Sequence, residues 1–263
     1  MDEPVEDTDP AGDRVPEDVI TAVREMSNWV GKLTATHVKS APANSPAGQD
    51  LAAVAHNTMR ETRIRRGIVL SGMRLYSGRS CLDALEVCQS LPDPVAPTHT
   101  LARAVFESAA WSRWLCDRQL TTEQRISRVA ADELYGKSQM AKMVSEMDVT
   151  LTGHDELKAE LDAAGITPAK RPGSTEAVGQ VLGGPISAAL RLTYRMLSAH
   201  PHASSHTVLS SARQFRGVTT PFSHAAVIHL WAFHEYASYI GWEGLDEWTV
   251  WADNVKPVLT GSG

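Results

Sequence analysis

One long stretch of the chain holds basic residues and no acidic ones. Between Glu176 and Glu235 there is no Asp or Glu, while four arginines and six of the ten histidines fall inside. Four polar residues of this stretch follow one another at steps of four, three and four: Arg191, Arg195, Ser198 and His202. That spacing places them on one face of a helix, provided that the helix continues past Pro201. If these side chains converge, the local field is positive and suits an anionic ligand.

Two histidines compete for the place beside Arg195. His202 lies seven residues after Arg195, almost two full helical turns, and therefore shares its face. His200 lies five residues after Arg195, about 140° around an ideal helix, and meets the same face only if Pro201 distorts the last turn. We therefore take Arg195 and His202 as the first catalytic pair and His200 as the alternative.

A second group of histidines raises the question of a metal site. His224, His229 and His234 are followed at once by Glu235. Ligands on one helix need steps of three or four, whereas steps of five rotate successive imidazoles by about 140°. His202 and His206 have a better spacing, but no acidic residue lies near them to complete or orient a ligand set. A His-ligated metalloprotein remains an alternative, and we expect no metal ligands and no cofactor.

Helices must position all of these residues. Beyond Pro16, apolar residues recur at steps of three and four, and no alternating strand pattern with hairpin turns occurs. The sequence therefore predicts an all-α fold, a multi-helix bundle of about nine to eleven helices. We expect residues 1–15 to be a disordered acidic tail. Residues 16–260 should form a single helical domain, with a sub-boundary in the segment 165–174, which is rich in helix breakers.

Capping residues and breakers set the predicted helix ends. A long helix should run from Leu51 to about Tyr76, and a short one should cover residues 80–89. Thr98 or Thr100 can cap the next helix, and Thr121 with Gln124 has the spacing of a capping box. The two last helices should span 221–240 and 245–258. They carry many aromatic residues, which we expect first of all in the core.

Charge is distributed unevenly along the chain. Residues 1–18 hold eight of the 31 acidic residues against Arg14 alone, so the rest of the chain is close to neutral despite a formal charge of −6. Any site for a polyanion must therefore be local. One further candidate is a basic group on the long predicted helix, although such runs are usually only solvated. Its members are Arg60, Arg63, Arg65 and Arg66.

The sequence also indicates a compartment. Cys81, Cys88 and Cys116 lack the CxxC spacing of zinc and redox sites. The N-terminus is acidic where a secretory signal would be basic and then apolar, and no apolar run approaches the roughly 20 residues needed to span a bilayer. We therefore predict a cytoplasmic protein with reduced cysteines and no membrane partner.

The residues around Arg195 resemble a known superfamily. The segment from Tyr194 to Ser204, YRMLSAHPHAS, looks like a motif of uncharacterised actinobacterial helical proteins. It also resembles the HEPN superfamily signature, an Arg followed after four to six residues by a His, which Arg195 satisfies with either His200 or His202. The upstream segment with Arg103 and Glu107 looks like the matching helix of the same proteins.

The resemblance implies a metal-independent endoribonuclease, or a protein that binds RNA or another phosphate-bearing ligand, that works as a homodimer with the two motifs facing each other. Arg195, His202 and His200 would be catalytic. The residues implied to bind the RNA are Arg191, Ser198, Tyr194, Arg103 and Glu107. In such chemistry a neutral His removes the proton of an RNA 2′-hydroxyl while Arg neutralises the scissile phosphate. The main alternative is a non-catalytic dimerisation or protein-binding module, whose aromatic C-terminal helices form the partner surface.

Overall fold

The computed structural model describes residues 14–36, 41–92, 94–145, 153–181, 187–199 and 218–261. Across these ranges the chain is entirely helical, with ten helices and no strand. The helices are α1 (Glu17–Thr36), α2 (Pro46–Val54), α3 (Thr58–Cys88), α4 (Val95–Cys116), α5 (Thr122–Ser145), α6 (Gly153–Ala163), α7 (Ser174–Val181), α8 (Ser187–Ala199), α9 (Thr219–Ile240) and α10 (Leu245–Thr260). The predicted all-α bundle is confirmed. The predicted tail, residues 1–15, lies almost wholly outside the described residues.

Helix α3 differs most from the sequence prediction. We expected one helix to end near Tyr76 and another to cover 80–89, whereas α3 runs without a break from Thr58 to Cys88. Gly78, inside this helix, does not end it. A Cβ atom at Gly78 would lie 2.8 Å from the Nδ1 atom of His229 on α9, so this glycine permits a close helix contact.

Side-chain caps explain two helix starts. Asn57 accepts a hydrogen bond from the Arg60 amide (3.1 Å), so α3 begins after Asn57 and the predicted start at Leu51 belongs to the separate helix α2. The predicted capping box before α5 is present, since Thr121 and Gln124 exchange side-chain to backbone bonds of 3.3 and 2.9 Å. Helix α4 begins at Val95, ahead of both threonines expected to cap it.

Helix α4 lies at the centre of the bundle. It packs along α3 and α9, and it also contacts α5, α7 and α8. At one end of the bundle α1, α9 and α10 share an aromatic cluster, in which the rings of Phe233 and Trp248 lie 4.1 Å apart and Trp29 meets Trp242 edge-on at 5.8 Å. Most C-terminal aromatic residues are therefore core residues, as expected, and the partner surface considered above would need other residues.

A buried ion pair ties α2, α5 and α9 together. Arg125 on α5 is almost completely buried and donates to Asp50 on α2 (2.8 Å), while its guanidinium lies 4.2 Å from the ring centre of Tyr239 on α9. Tyr239 donates its own hydroxyl to Asp50 (3.0 Å). The remaining donors of Arg125 bind backbone carbonyls at the end of α4 and in the following turn. Every strong hydrogen-bonding group of this pair is therefore satisfied.

The breaker-rich segment between α6 and α7 packs on α5. The Ala169 amide donates to the Ser127 carbonyl (3.0 Å), and Arg171 donates to Asp132 (3.1 Å). These bonds hold the segment 165–174 against the helix that precedes it. Among the helices described, none has the length and apolar character required to cross a membrane.

Candidate functional site

Helix α8 carries the described part of the predicted site. Its apolar face, with Leu190 and Leu197, is buried, whereas Arg191 and Arg195 are exposed. The helix packs on α4 and also touches α7 and α9. Its amphipathic pattern therefore presents both arginines to solvent, as their spacing predicts.

A shared carboxylate joins α8 to α4. The Tyr194 hydroxyl and the Arg103 Nε atom both donate to Oε1 of Glu107, each at 3.0 Å. The Tyr194 ring lies 5.9 Å from that of Phe106, so the contact is apolar as well as polar. Burial raises the pKa of the Tyr194 phenol, and the Glu107 carboxylate adds to this effect. The phenol therefore stays neutral and donates to Glu107.

This contact brings together two of the segments that carry the family resemblance. Arg103, Glu107 and Tyr194 are predicted to bind substrate, but in the structure they bind one another, and Tyr194 is buried. We infer that they position α8 on α4.

The predicted four-residue face is only partly present in the described residues. Arg191 and Arg195 are exposed, but Ser198 is half-buried, and its Oγ atom is enclosed on the side of Tyr194. Although its position on the helix is close to that of Arg191, the short side chain of Ser198 lies beside Tyr194 and does not share the open face. Helix α8 ends at Ala199, and His200 and His202 lie outside the described residues.

Arg195 differs from most arginines of the described chain in its surroundings. No carboxylate among the described residues lies within salt-bridge distance of its guanidinium, and no acidic residue occurs on α8 itself. By contrast, all four members of the basic group on α3 are paired with acids. The pairs are Arg60–Glu123, Arg63–Glu133 (2.9 Å), Arg65–Glu61 (2.7 Å) and Arg66–Glu133 (2.5 Å). The expectation that this group is solvated was wrong for Arg63, which is buried against Glu133 of α5, whereas the side chains of Arg65 and Arg66 are about half exposed.

The histidines of α9 point to three different places. The Nδ1 atom of His224 lies 2.8 Å from the Thr193 hydroxyl on α8. His229 is fully buried and makes no hydrogen bond to any described residue, and burial lowers its pKa to about 4. His234 lines a cleft of about 330 Å³ between α9 and α10.

This divergence argues against the proposed metal-ligand set. Glu235, the fourth member, is bound to Arg118 at 3.1 Å. Within the described ranges no group of three or more His, Cys, Asp or Glu side chains is close enough to hold a metal ion. The steps of five predicted this spread of side chains around α9.

A larger cleft, which the sequence did not predict, opens between α3, α5 and the segment that carries Arg171. Its volume is about 750 Å³. The wall combines apolar and charged side chains, among them Val69, Leu70, Tyr135, Arg66, Arg74, Arg171, Asp132 and Glu133. The one signal in the sequence was the glycine at position 136, in the middle of a strong helix pattern.

Searches against protein-family models, curated proteins and solved structures found no match to this chain.

Proposed function

We propose that this chain binds RNA at the exposed face of α8 and cleaves it as a metal-independent ribonuclease of the HEPN type. The observation that supports this most is the state of Arg195, which is exposed and has no acidic partner among the described residues. A guanidinium keeps its charge at neutral pH and matches phosphate oxygens with paired N–H donors.

The surroundings of Arg195 favour the same ligand. Arg191 is also exposed, one turn earlier on the same helix. The acid-free stretch from 177 to 234 gives Arg195 no acidic neighbour in the sequence. Because Tyr194 is bonded to Glu107, its neighbour Arg195 sits on a helix of fixed orientation. A cation that is held in place stabilises the negative charge developing on a phosphate more than a mobile cation does.

The chemical step needs one base and one cation. His202, or His200 in its place, takes the proton of a ribose 2′-hydroxyl, and the 2′-oxygen attacks the adjacent phosphorus. The bond from phosphorus to the 5′-oxygen breaks, and that oxygen receives a proton from the imidazolium. The products are a 2′,3′-cyclic phosphate and a 5′-hydroxyl end, with no net change in protons. Arg195 neutralises the charge that develops on the phosphate oxygens.

Cleavage of a labelled RNA oligonucleotide in the presence of EDTA tests this proposal. We expect products with cyclic phosphate ends from RNA, and no cleavage of the matching DNA, because DNA lacks the 2′-hydroxyl. The double variant His200→Ala/His202→Ala should abolish the activity while RNA binding persists, and the two single variants show which histidine is the base. If purified wild-type protein neither binds nor cleaves RNA at high concentration, the proposal is wrong. Binding without cleavage would support the claim of RNA binding and contradict the claim of ribonuclease activity.

Two further parts of the proposal concern the assembly and the compartment. We propose a homodimer in which the two α8 motifs face each other across the two-fold axis. Sedimentation equilibrium tests this, and a monomer at the concentration that supports cleavage would contradict it. We place the protein in the cytoplasm, where Cys81, Cys88 and Cys116 would stay reduced as the free thiols seen in the structure.

A further inference from the structure

The cleft between α3 and α5 has the size of a small-molecule site. Its volume of about 750 Å³ falls within the range of known ligand pockets, roughly 300–1,000 Å³. Val69, Leu70 and the half-exposed ring of Tyr135 form its apolar wall. It shares no residue with the face of α8 proposed to bind RNA.

The charged wall of the cleft contains more arginines than acids. Asp132 is bonded to Arg74 (2.5 Å) and Arg171 (3.1 Å). Glu133 is likewise shared, by Arg63 (2.9 Å) and Arg66 (2.5 Å). Each of these nearly buried carboxylates therefore faces two cations, and Arg65 at the rim is matched only by Glu61. The cleft consequently has excess positive charge in a partly desolvated place.

The pKa of one wall residue reflects the partial desolvation of the cleft wall. Burial lowers the pKa of the Arg74 guanidinium, and the neighbouring charge of Arg171 lowers it further, although Asp132 acts in the opposite direction. An anion bound in the cleft would favour the charged form of Arg74.

Arg171 is held as a fixed donor. Its guanidinium lies 3.6 Å from the ring centre of Trp111 and 3.7 Å from that of Tyr135, and its Nε atom binds Asp132. Its two terminal nitrogens make no hydrogen bond to the described residues. Two aromatic contacts therefore fix a guanidinium whose remaining donors are available to a ligand.

Gly136 keeps the cleft open. It lies inside α5 and lines the cleft, and no atom beyond its chain neighbours and the nearby backbone of its own helix lies within 4 Å of the place where its Cβ would be. Glycine is the least favourable residue apart from proline in a helix interior, and no close helix contact requires it here. A side chain at 136 would instead occupy the empty volume.

We propose that this cleft binds a small organic anion, with its carboxylate or phosphate on Arg171 and Arg66 and its aromatic or aliphatic body against Val69, Leu70 and Tyr135. The excess charge selects the anionic group, and the apolar wall selects the body. The site is independent of the proposed ribonuclease activity.

Fluorescence titration with anilinonaphthalene sulfonate, an anion with an aromatic body, tests the proposal. Wild-type protein should bind one dye molecule saturably, with a blue-shifted emission. Gly136→Phe should fill the cleft and abolish saturable binding, while its unfolding midpoint stays the same or rises. Gly136→Ala should keep the binding. No saturable binding by the wild type, or undiminished binding by Gly136→Phe, would overturn the proposal.

A charge variant tests the role of the arginines separately. Arg66→Gln leaves Glu133 paired with Arg63, and it should weaken dye affinity about tenfold, through loss of one charge-assisted bond. Arg24→Gln removes an equally exposed, acid-paired arginine outside the cleft and should leave the affinity unchanged. Equal effects of the two variants would show that the dye senses only overall charge and would contradict the assignment.

Discussion

The arginines on α3 and those on α8 carry the same charge in different surroundings. Each member of the α3 group has an acidic partner, and Arg63 is only 1% exposed beside Glu133. Arg195 on α8 is exposed and faces no carboxylate of the described chain. A buried, paired arginine such as Arg63 holds helices together, whereas an exposed arginine such as Arg195 keeps its donors for a ligand.

The difference shows what basic residues in a sequence can and cannot indicate. The α3 group looks basic because its partners lie 63 to 70 residues further along, or one turn away on the same helix. Arg195 lies in a long acid-free stretch, so no acid one turn away on its own helix pairs with it, as Glu61 pairs with Arg65. A high density of arginines was therefore a poor guide to arginines without acidic partners.

The largest expected effect on stability comes from breaking a buried ion pair. Arg125→Met should lower the free energy of unfolding by about 4 kcal/mol, because it leaves Asp50 buried without its cation. Arg65→Met, which removes an exposed pair, should cost less than about 0.5 kcal/mol. Urea denaturation measures both. Similar losses for the two variants would mean that burial does not distinguish these arginines.

The pH dependence of stability tests a second kind of buried group, His229, which makes no hydrogen bond to any described residue. The pKa of His229 is about 4 in the folded chain and 6.5 for a free histidine, so only the unfolded chain takes up the proton between these values. Stability should therefore fall as the pH drops below 6.5, by about 2 kcal/mol at pH 5 from this residue. His224 and His234 shift in the same direction.

The variant His229→Leu isolates this contribution. It should make the unfolding free energy less dependent on pH between 4 and 6.5, since leucine binds no proton. Denaturation curves at several pH values measure the slope. An unchanged slope would show that His229 is protonated in the folded chain.

A smaller effect is expected at the joint between α4 and α8. Tyr194→Phe removes the hydroxyl that donates to Glu107 and should cost about 1 kcal/mol of stability. The rate of RNA cleavage by Tyr194→Phe should fall as well, because Arg195 then lies on a less firmly held helix. Glu107→Gln keeps a weaker hydrogen-bond acceptor for Tyr194 and should lose less stability. Lower stability with fully retained cleavage would show that the Tyr194–Glu107 bond does not position Arg195 for cleavage.

The sequence predicted the helices better than their contacts. The capping box at Thr121 and the exposure of Arg195 follow from local spacing, and both are present. The unbroken α3 could not be predicted, since Gly78 serves a contact with His229 that is 151 positions away. The cleft around Gly136 was equally inaccessible, because three separate segments build it. The catalytic histidines lie outside the described residues and stay a prediction.

The most direct test of the central claim compares two variants that lose the same charge. Arg195→Gln and Arg65→Gln each remove one exposed guanidinium, and RNA cleavage by both is measured in EDTA at one salt concentration. We predict that Arg195→Gln lowers the rate at least about 100-fold through loss of phosphate stabilisation, while Arg65→Gln cleaves as the wild type does. Equal rates for the two variants would contradict the assignment of Arg195.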